Sequence, residues 1–309
     1  MNNSSNSAVV VADEVASALD DARGVVALET TIVVHGLPSP INLEVAFECE
    51  AAVRASGSVP ATIGVLDGRV VVGLTNDELV RLAESDRHAA KLSARDLGLA
   101  VAARRDGATT VAGTIAVARQ VGVAVMATGG LGGVHRDAQE SFDESADLAA
   151  LARYQVLVVA SGVKSILDIG ATLERLDTLG VPVVGFRTHR FPGFYRRDSG
   201  HDLDWSVEDA MGAAMAFGAH RQFSPTGMLI ANPIDADREL SGDLHDRALA
   251  SALEKAQLLG VRGKDVTPVL LAEFARSTDG VSVQVNRDLV VANASVAGEI
   301  ARSIADLGP

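Results

Sequence analysis

An α/β fold is predicted by three features of the sequence. Runs rich in β-branched residues, such as VAVMAT (123–128), VLVVA (156–160), VPVVGF (181–186) and GMLIANPI (227–234), alternate with longer stretches whose apolar residues recur every three or four positions. Between Val156 and Gly180 both patterns meet. A buried strand changes period at Ser161-Gly162, and Ile166, Ile169, Leu173 and Leu176 then mark one face of a helix that Gly180 closes. Finally, 309 residues with 48% hydrophobic content can bury a large core, as one large α/β domain or two small ones. There is no internal repeat and no Pro-, Gly- or Ser-rich linker, so a single domain over residues 9–309 is expected after a polar, disordered tail at 1–8.

The elements follow in order. Val9–Asp20 reads as an amphipathic helix, and GVVALETTIV (24–33) as a buried strand whose end carries Glu29. A buried glutamate is costly unless paired or protonated, and catalytic acids are made that way; the plain alternative is a strand-end carboxylate in solvent. The turn His35–Pro40 leads to a helix from Asn42 to Ser56 in which Val45, Cys49 and Val53 share a face. Asp67-Gly68 between two apolar runs signals a β-hairpin, and a helix from Thr75 to Ala89 follows. Lys91 and Arg95 precede another helix. Gly107 onward reads as a threonine-rich helix start and an apolar helix, before the strand 123–128.

That strand runs into Gly129, Gly130, Gly132 and Gly133, a loop whose backbone N–H groups are expected to approach an anion. It matches neither G-x-G-x-x-G nor a Walker sequence, which disfavours a dinucleotide. His135, Arg136, Asp143, Ser145 and Asp147 form a polar cluster beyond it, and carboxylates among hydroxyls suit a hard cation such as Mg²⁺ or Mn²⁺. Lys164 is placed in the first turn of the next helix, at the carboxyl edge of the sheet, where ligand crevices form and an unprotonated amine can attack a carbonyl. A lysine in that position is more often a solvated surface residue. The loop 188–200, with His189, Arg190, Tyr195, Arg196 and Arg197, reads either as a lid or as a surface loop with its aromatic residues tucked under. A helix from Leu240 to Leu259 and two terminal helices around a polar segment with Asn286 and Asn293 complete the chain.

Composition excludes several classes. A net charge of −13, from 40 acidic and 27 basic residues, argues against nucleic acid as a partner. No stretch is apolar for long enough to span a membrane. Cys49 is the single cysteine, which rules out an internal disulfide and fits a reducing cytoplasm, and the N-terminal residues lack the basic start of a signal peptide.

Taken together the segments resemble the pseudouridine-5′-phosphate glycosidase family, also called the indigoidine synthase A-like family. The resemblance is carried by ALETTI (27–32) with HGLP (35–38), PATIGVLDG (60–68), KLSARDL (91–97), TGGLGGVHR (128–136), FDESADL (142–148), SGVKSILD (161–168), FPGFY (191–195), GMLIANPI (227–234) and VTPVLL (266–271). It implies a three-layer α/β/α sandwich around a mixed, mostly parallel sheet, and a homotrimer. It also implies reversible cleavage of pseudouridine 5′-phosphate to uracil and ribose 5-phosphate, a lyase or glycosidase reaction that breaks a carbon–carbon bond. Uracil C5 is a poor leaving group for the two-carboxylate route of ordinary glycosidases, so an electron sink is needed. By resemblance Lys164 forms an imine with C1′ of the ring-opened sugar, Glu29 is the proton donor, and Asp143 holds one Mn²⁺, with Mg²⁺ or another divalent ion as the alternative. Lys91, Val111, Ser145, Ala146 and Asp147 fall at substrate positions, and His135 and Asn286 are read as further pocket residues. His189-Arg190 stands where the family carries an acidic pair, and Glu144 where an apolar residue is common. The rival readings are a Schiff-base aldolase, which needs no uracil site, and a sugar-phosphate binding protein, which needs no lysine beside an acid.

Overall fold

A computed structural model describes residues 8–84, 89–261 and 266–308. The tail expected at 1–8 and the end of the helix expected to reach Ala89 fall largely outside the described residues. The chain starts with β1 (Val9–Val11) and α1 (Asp13–Asp20), then β2 (Val25–Glu29), one wide helical turn (Ile32–Gly36) and α2 (Ile41–Ala55). The hairpin β3 (Val59–Leu66) and β4 (Arg69–Val72) leads to α3 (Asn76–Glu84), β5 (Ala90–Leu92), a tight turn (Ala94–Asp96) and α4 (Leu97–Ala102). Next come β6 (Gly107–Thr109), α5 (Val111–Val121), β7 (Val125–Ala127), α6 (Ala138–Ser141), α7 (Ala146–Arg153), β8 (Leu157–Ala160) and α8 (Ile169–Thr178). The last third holds β9 (Val183–Phe186), β10 (Trp205–Val207), α9 (Ala210–Phe223), β11 (Met228–Ala231), α10 (Gly242–Leu259), α11 (Val266–Ser277) and α12 (Val281–Leu307).

These strands make one mixed, mostly parallel sheet in the order β1-β4-β3-β2-β7-β8-β11-β9-β10, with β6 also on β3 and β5 on β6. Helices cover both sides: α12 packs on β2, β7 and β8 with α2 and α9 beside it, while α5 packs on β2 and β7 with α7 alongside. The central strands are buried along their whole length, as continuous apolar runs in a parallel sheet require. Among the described residues no helix is long and apolar enough to cross a membrane.

Several expectations are corrected. Val9–Val11 forms a parallel edge strand against Val70–Val72, because three consecutive valines favour the pleated ladder; the helix starts only at Asp13. Gly107–Thr109 is a strand, and the helix begins after Thr110, whose side chain accepts from the Gly113 N–H at 3.3 Å. Asn286 and Asn293 lie within α12, since the break between the terminal helices falls at Thr278–Gly280. The hairpin is as expected: Asp67 and Gly68 have φ of 51° and 75°, the left-handed pair of a two-residue turn. Neither β10 nor α9 is marked in the sequence reading.

One feature of the sheet positions the site. β2 runs parallel to β3 and ends at the Glu29–Ile63 pair, whereas β6 runs antiparallel along the same edge of β3, pairing Ala108 with Gly64. Their carboxyl ends therefore face each other. Buried threonines close the junction: Thr30 Oγ1 and Thr109 Oγ1 both donate to the Ile63 carbonyl, at 2.8 and 2.7 Å, and Thr30 Oγ1 accepts from the Thr109 N–H at 3.0 Å.

Candidate active site

At this junction, and at the carboxyl ends of β7 and β8, lies a cavity of about 330 Å³. Its wall contains every site residue singled out from the sequence: Glu29, Lys91, Val111, His135, Asp143, Ser145, Ala146, Asp147, Lys164 and Asn286. Glu29 comes from the end of β2, Lys91 from β5, and Val111 from the first turn of α5. His135 to Ser145 come from the segment between β7 and α7, and Asn286 from α12.

Glu29 is half-buried at the strand end, and its carboxylate accepts a short hydrogen bond from Thr128 Oγ1. Withdrawal of the carboxyl from water pushes its pKa above the ordinary carboxylate value, and the Asp147 charge adds to the rise. Lys164, the Thr128 hydroxyl and Lys91 pull in the opposite direction. The glutamate thus holds its proton to higher pH than an ordinary carboxyl does, beside a potential nucleophile.

Lys164 lies between β8 and α8, but not in the helix. Asp168 caps α8, accepting from the Ala171 N–H at 2.9 Å, and the helix starts at Ile169. Lys164 sits in an extended segment: its N–H bonds to the Leu131 carbonyl and its Nζ to the Gly130 carbonyl at 2.8 Å. Leu131 and Val163 form a parallel bridge, so the segments after β7 and β8 continue the ladder past the strands themselves. The sheet, rather than a helix end, aims the amine.

Three N–H groups of the glycine segment bond within the protein: Leu131 to the Gly162 carbonyl, Gly132 to Asp147 Oδ2 at 2.9 Å, and Val134 to Thr172 Oγ1 at 2.9 Å, while Gly129, Gly130 and Gly132 line the cavity. The glycines are needed for close packing. A Cβ on Gly130 would meet the Phe194 ring at 2.5 Å, one on Gly132 would meet Ser145 Oγ at 2.3 Å, and one on Gly133 would meet Thr172 Oγ1 at 2.4 Å.

Asp147 is buried, with both oxygens engaged by backbone, Oδ1 from the Ala112 N–H at 3.0 Å and Oδ2 from Gly132. It ties the start of α5 to the glycine segment. Ser145 caps α7, its hydroxyl accepting from the Asp147 N–H at 3.2 Å. Asn286 is 5% exposed and its Oδ1 has no hydrogen-bond partner among the described residues, although the residue faces the cavity. A ligand donor would satisfy it. Asp143, at the rim, has His135 Nε2 at 3.8 Å. No group of three or more His, Cys, Asp or Glu gathers among the described residues, so a cation on Asp143 would complete its shell with water or ligand oxygens. One hard carboxylate in such surroundings fits Mg²⁺ or Mn²⁺.

The sequence reading missed the roles of Thr128, Phe194 and α11. Thr128 is legible only as the residue before the glycines. Phe194, in the loop 188–200, lies against Gly130 and lines the cavity, and Phe191 and Tyr195 are buried with it, the arrangement of a surface loop with its aromatic residues tucked under. From α11, Thr267, Pro268 and Leu271 close the far side. Glu144, on the cavity wall, pairs with Arg175 at 2.9 Å, Arg190 pairs with Asp198 and Asp202, and His189 hydrogen-bonds the Leu203 carbonyl and Ser206 Oγ.

Comparison with known proteins places these features among relatives. The family described as indigoidine synthase A like protein matches residues 14–303. The chain is 57% identical over 290 residues to a pseudouridine-5′-phosphate glycosidase of Salinispora tropica, covering 93% of this chain and 89% of that protein. It is 50% identical to a protein of the same name from Saccharopolyspora erythraea, covering 96% and 98%. Among solved structures it is similar to the prealnumycin C-glycosynthase in complex with ribulose 5-phosphate, with a TM-score of 0.89, 39% identity and 97% of each chain covered. An indigoidine synthase A-like protein of Thermotoga maritima gives a TM-score of 0.88 at 33% identity, covering 99% of this chain and 100% of that one.

Proposed function

The chain belongs to the indigoidine synthase A-like family, and on that premise we propose that it is a C-glycosidase that reversibly cleaves pseudouridine 5′-phosphate to uracil and ribose 5-phosphate. The observation that carries the reading is the pairing of a protonation-prone Glu29 with Lys164 on one cavity wall, each within the other's electrostatic reach.

In the synthetic direction, Lys164 Nζ condenses with the C1′ aldehyde of ring-opened ribose 5-phosphate, and water leaves. Uracil C5 adds to the imine carbon, C5 loses its proton, and the 4′-hydroxyl then displaces the lysine nitrogen to close the ring. Cleavage runs the same steps backwards, with protonated Glu29 giving its proton to the ring oxygen as the C1′–O bond opens. Because carbon–carbon cleavage passes through an imine, the reaction class is a lyase rather than a simple hydrolase. Lys91 supplies a cation for the phosphate dianion, with Arg95 beside it on the same wall. Val111, Ser145, Ala146, Asp147 and His135 shape the sugar-phosphate end, and the Asn286 carbonyl oxygen suits an N–H of the base. One Mn²⁺ or Mg²⁺ on Asp143 would neutralise negative charge there when bound. We place the enzyme in the cytoplasm and in a homotrimer, for which exposed Trp205, Met215 and Phe223 offer apolar surface.

The test is direct. Incubation with ribose 5-phosphate followed by borohydride is expected to leave a reduced sugar-phosphate adduct on Lys164, located by peptide mass spectrometry. Addition of uracil is expected to produce C-nucleotide absorbance. An adduct without condensation would point to an aldolase, and binding without an adduct would sink the imine.

A further inference from the structure

Asn293 of α12 is fully buried and lies outside the cavity wall. Its Nδ2 donates to the carbonyls of Thr128 and Gly129, at 2.8 and 3.3 Å, and to Ser161 Oγ at 3.1 Å. Its Oδ1 accepts from Asn232 Nδ2 at 2.9 Å. One amide therefore fastens the ends of β7, β8 and β11 to a single helix.

From the attachments at Thr128, Gly129 and Ser161 the chemistry is one step away. Thr128 Oγ1 donates to Glu29, Gly130 next to Gly129 receives Lys164 Nζ, and Ser161 begins the segment that carries Lys164. The Ser161 N–H also bonds to the Gly129 carbonyl, which links the two segments at the point Asn293 grips. A buried amide with every bond satisfied and three loop ends attached is a rigid reference point.

We propose that Asn293 is a positioning residue that holds Glu29 and Lys164 in working register, an inference that rests on the imine reading above. It touches neither substrate nor the reacting atoms, so its effect lies in the rate of imine chemistry rather than in ligand affinity.

Asn293→Asp separates this role from scaffolding. The substitution keeps the size of the side chain and its acceptance from Asn232, but sets a carboxylate oxygen against the carbonyls of Thr128 and Gly129. Asn293→Ser removes the two amide N–H donors and shortens the side chain without adding charge, and serves as the second variant. In the full chain, at a temperature where circular dichroism reports both variants folded, the rates of borohydride-trapped imine formation and kcat are expected to fall at least about tenfold. The Kd for ribose 5-phosphate and KM should stay within about twofold. Wild-type trapping rates in both folded variants would overturn the inference alone, and so would a parallel loss of affinity and rate that tracks melting temperature. If the wild-type protein traps no sugar on Lys164, the imine reading falls and the inference falls with it.

Discussion

Lys164 Nζ donates a 2.8 Å hydrogen bond to the Gly130 carbonyl, so the amine is held by the neighbouring strand extension before any ligand arrives. The bond fixes a flexible side chain whose freedom would otherwise be lost on reaction, which is the structural meaning of preorganisation.

Removing that amine should separate chemistry from stability. Lys164→Ala deletes one side-chain hydrogen bond, worth about 1 kcal/mol. Turnover of uracil and ribose 5-phosphate is expected to vanish while the melting temperature shifts by only a few degrees. A folded alanine variant that still formed C-nucleotide at the wild-type rate would remove Lys164 from the mechanism.

Glu29 makes two measurements move together. Its folded pKa lies above its ordinary value of 4.5, so the native state holds the proton more tightly than the unfolded chain. This contribution is lost as pH rises from 4.5 through the folded value, and Glu29→Gln should flatten that part of the stability curve. The same variant should lower kcat more than it raises KM, because only the proton transfer is removed. A stability curve of unchanged slope would show that Glu29 ionises in the folded protein as it does in water.

Asp147 is expected to matter for both architecture and acidity. In Asp147→Asn the amide nitrogen must face either the Ala112 or the Gly132 N–H, donor against donor, at a cost of about 2 kcal/mol. The charge that helps to raise the Glu29 pKa is also gone, so the basic limb of the pH–rate profile should move to lower pH. Thermal unfolding and a pH–rate series check the two effects, and an unmoved limb would break the link between Asp147 and Glu29.

Gly130 should tolerate alanine only if Phe194 gives way. The new methyl would lie 2.5 Å from a ring that is 2% exposed, so overpacking of about 1–3 kcal/mol is expected in Gly130→Ala. Adding Phe194→Leu should recover part of the melting temperature. No recovery in the double variant would place the strain in the backbone instead.

Much of this was readable in the chain because the signals were local. The strand-end Glu29, the hairpin at Asp67-Gly68 and the period change at Ser161-Gly162 each depend on a few neighbouring residues. The helix α8 starts several positions later than its apolar spacing suggests, because Ile166 fits the helical period of Ile169 and Leu173 while the cap is Asp168. The glycines at 129–133 signalled backbone approach correctly, yet what approaches is Phe194, Ser145 and Thr172, residues distant in the chain. Asn293 reads as part of a connector in the sequence because buried polar residues interrupt helical periodicity, and its partners Thr128, Ser161 and Asn232 come from three other elements. No window of sequence contains that arrangement. β1, β6 and β10 are each only three residues long, too short for alternation to register, and are defined by the strands they pair with.

The meeting of β2 and β6 end to end beside β3 has a consequence for how this scaffold could be redirected. The cleft is a fault in the sheet, where one ladder stops and another of opposite polarity begins. Its location is written in main-chain pairing, which exchange of rim side chains leaves alone. Lys164 and Glu29 are anchored on the parallel side of that fault, and the loop 188–200 is bridged to the Lys164 segment through Gly162 and Gly193, while α11 furnishes a wall made by a helix. A search for new acceptor molecules should therefore vary Thr267, Leu271 and their neighbours first, since those positions can change shape while the seam stays shut.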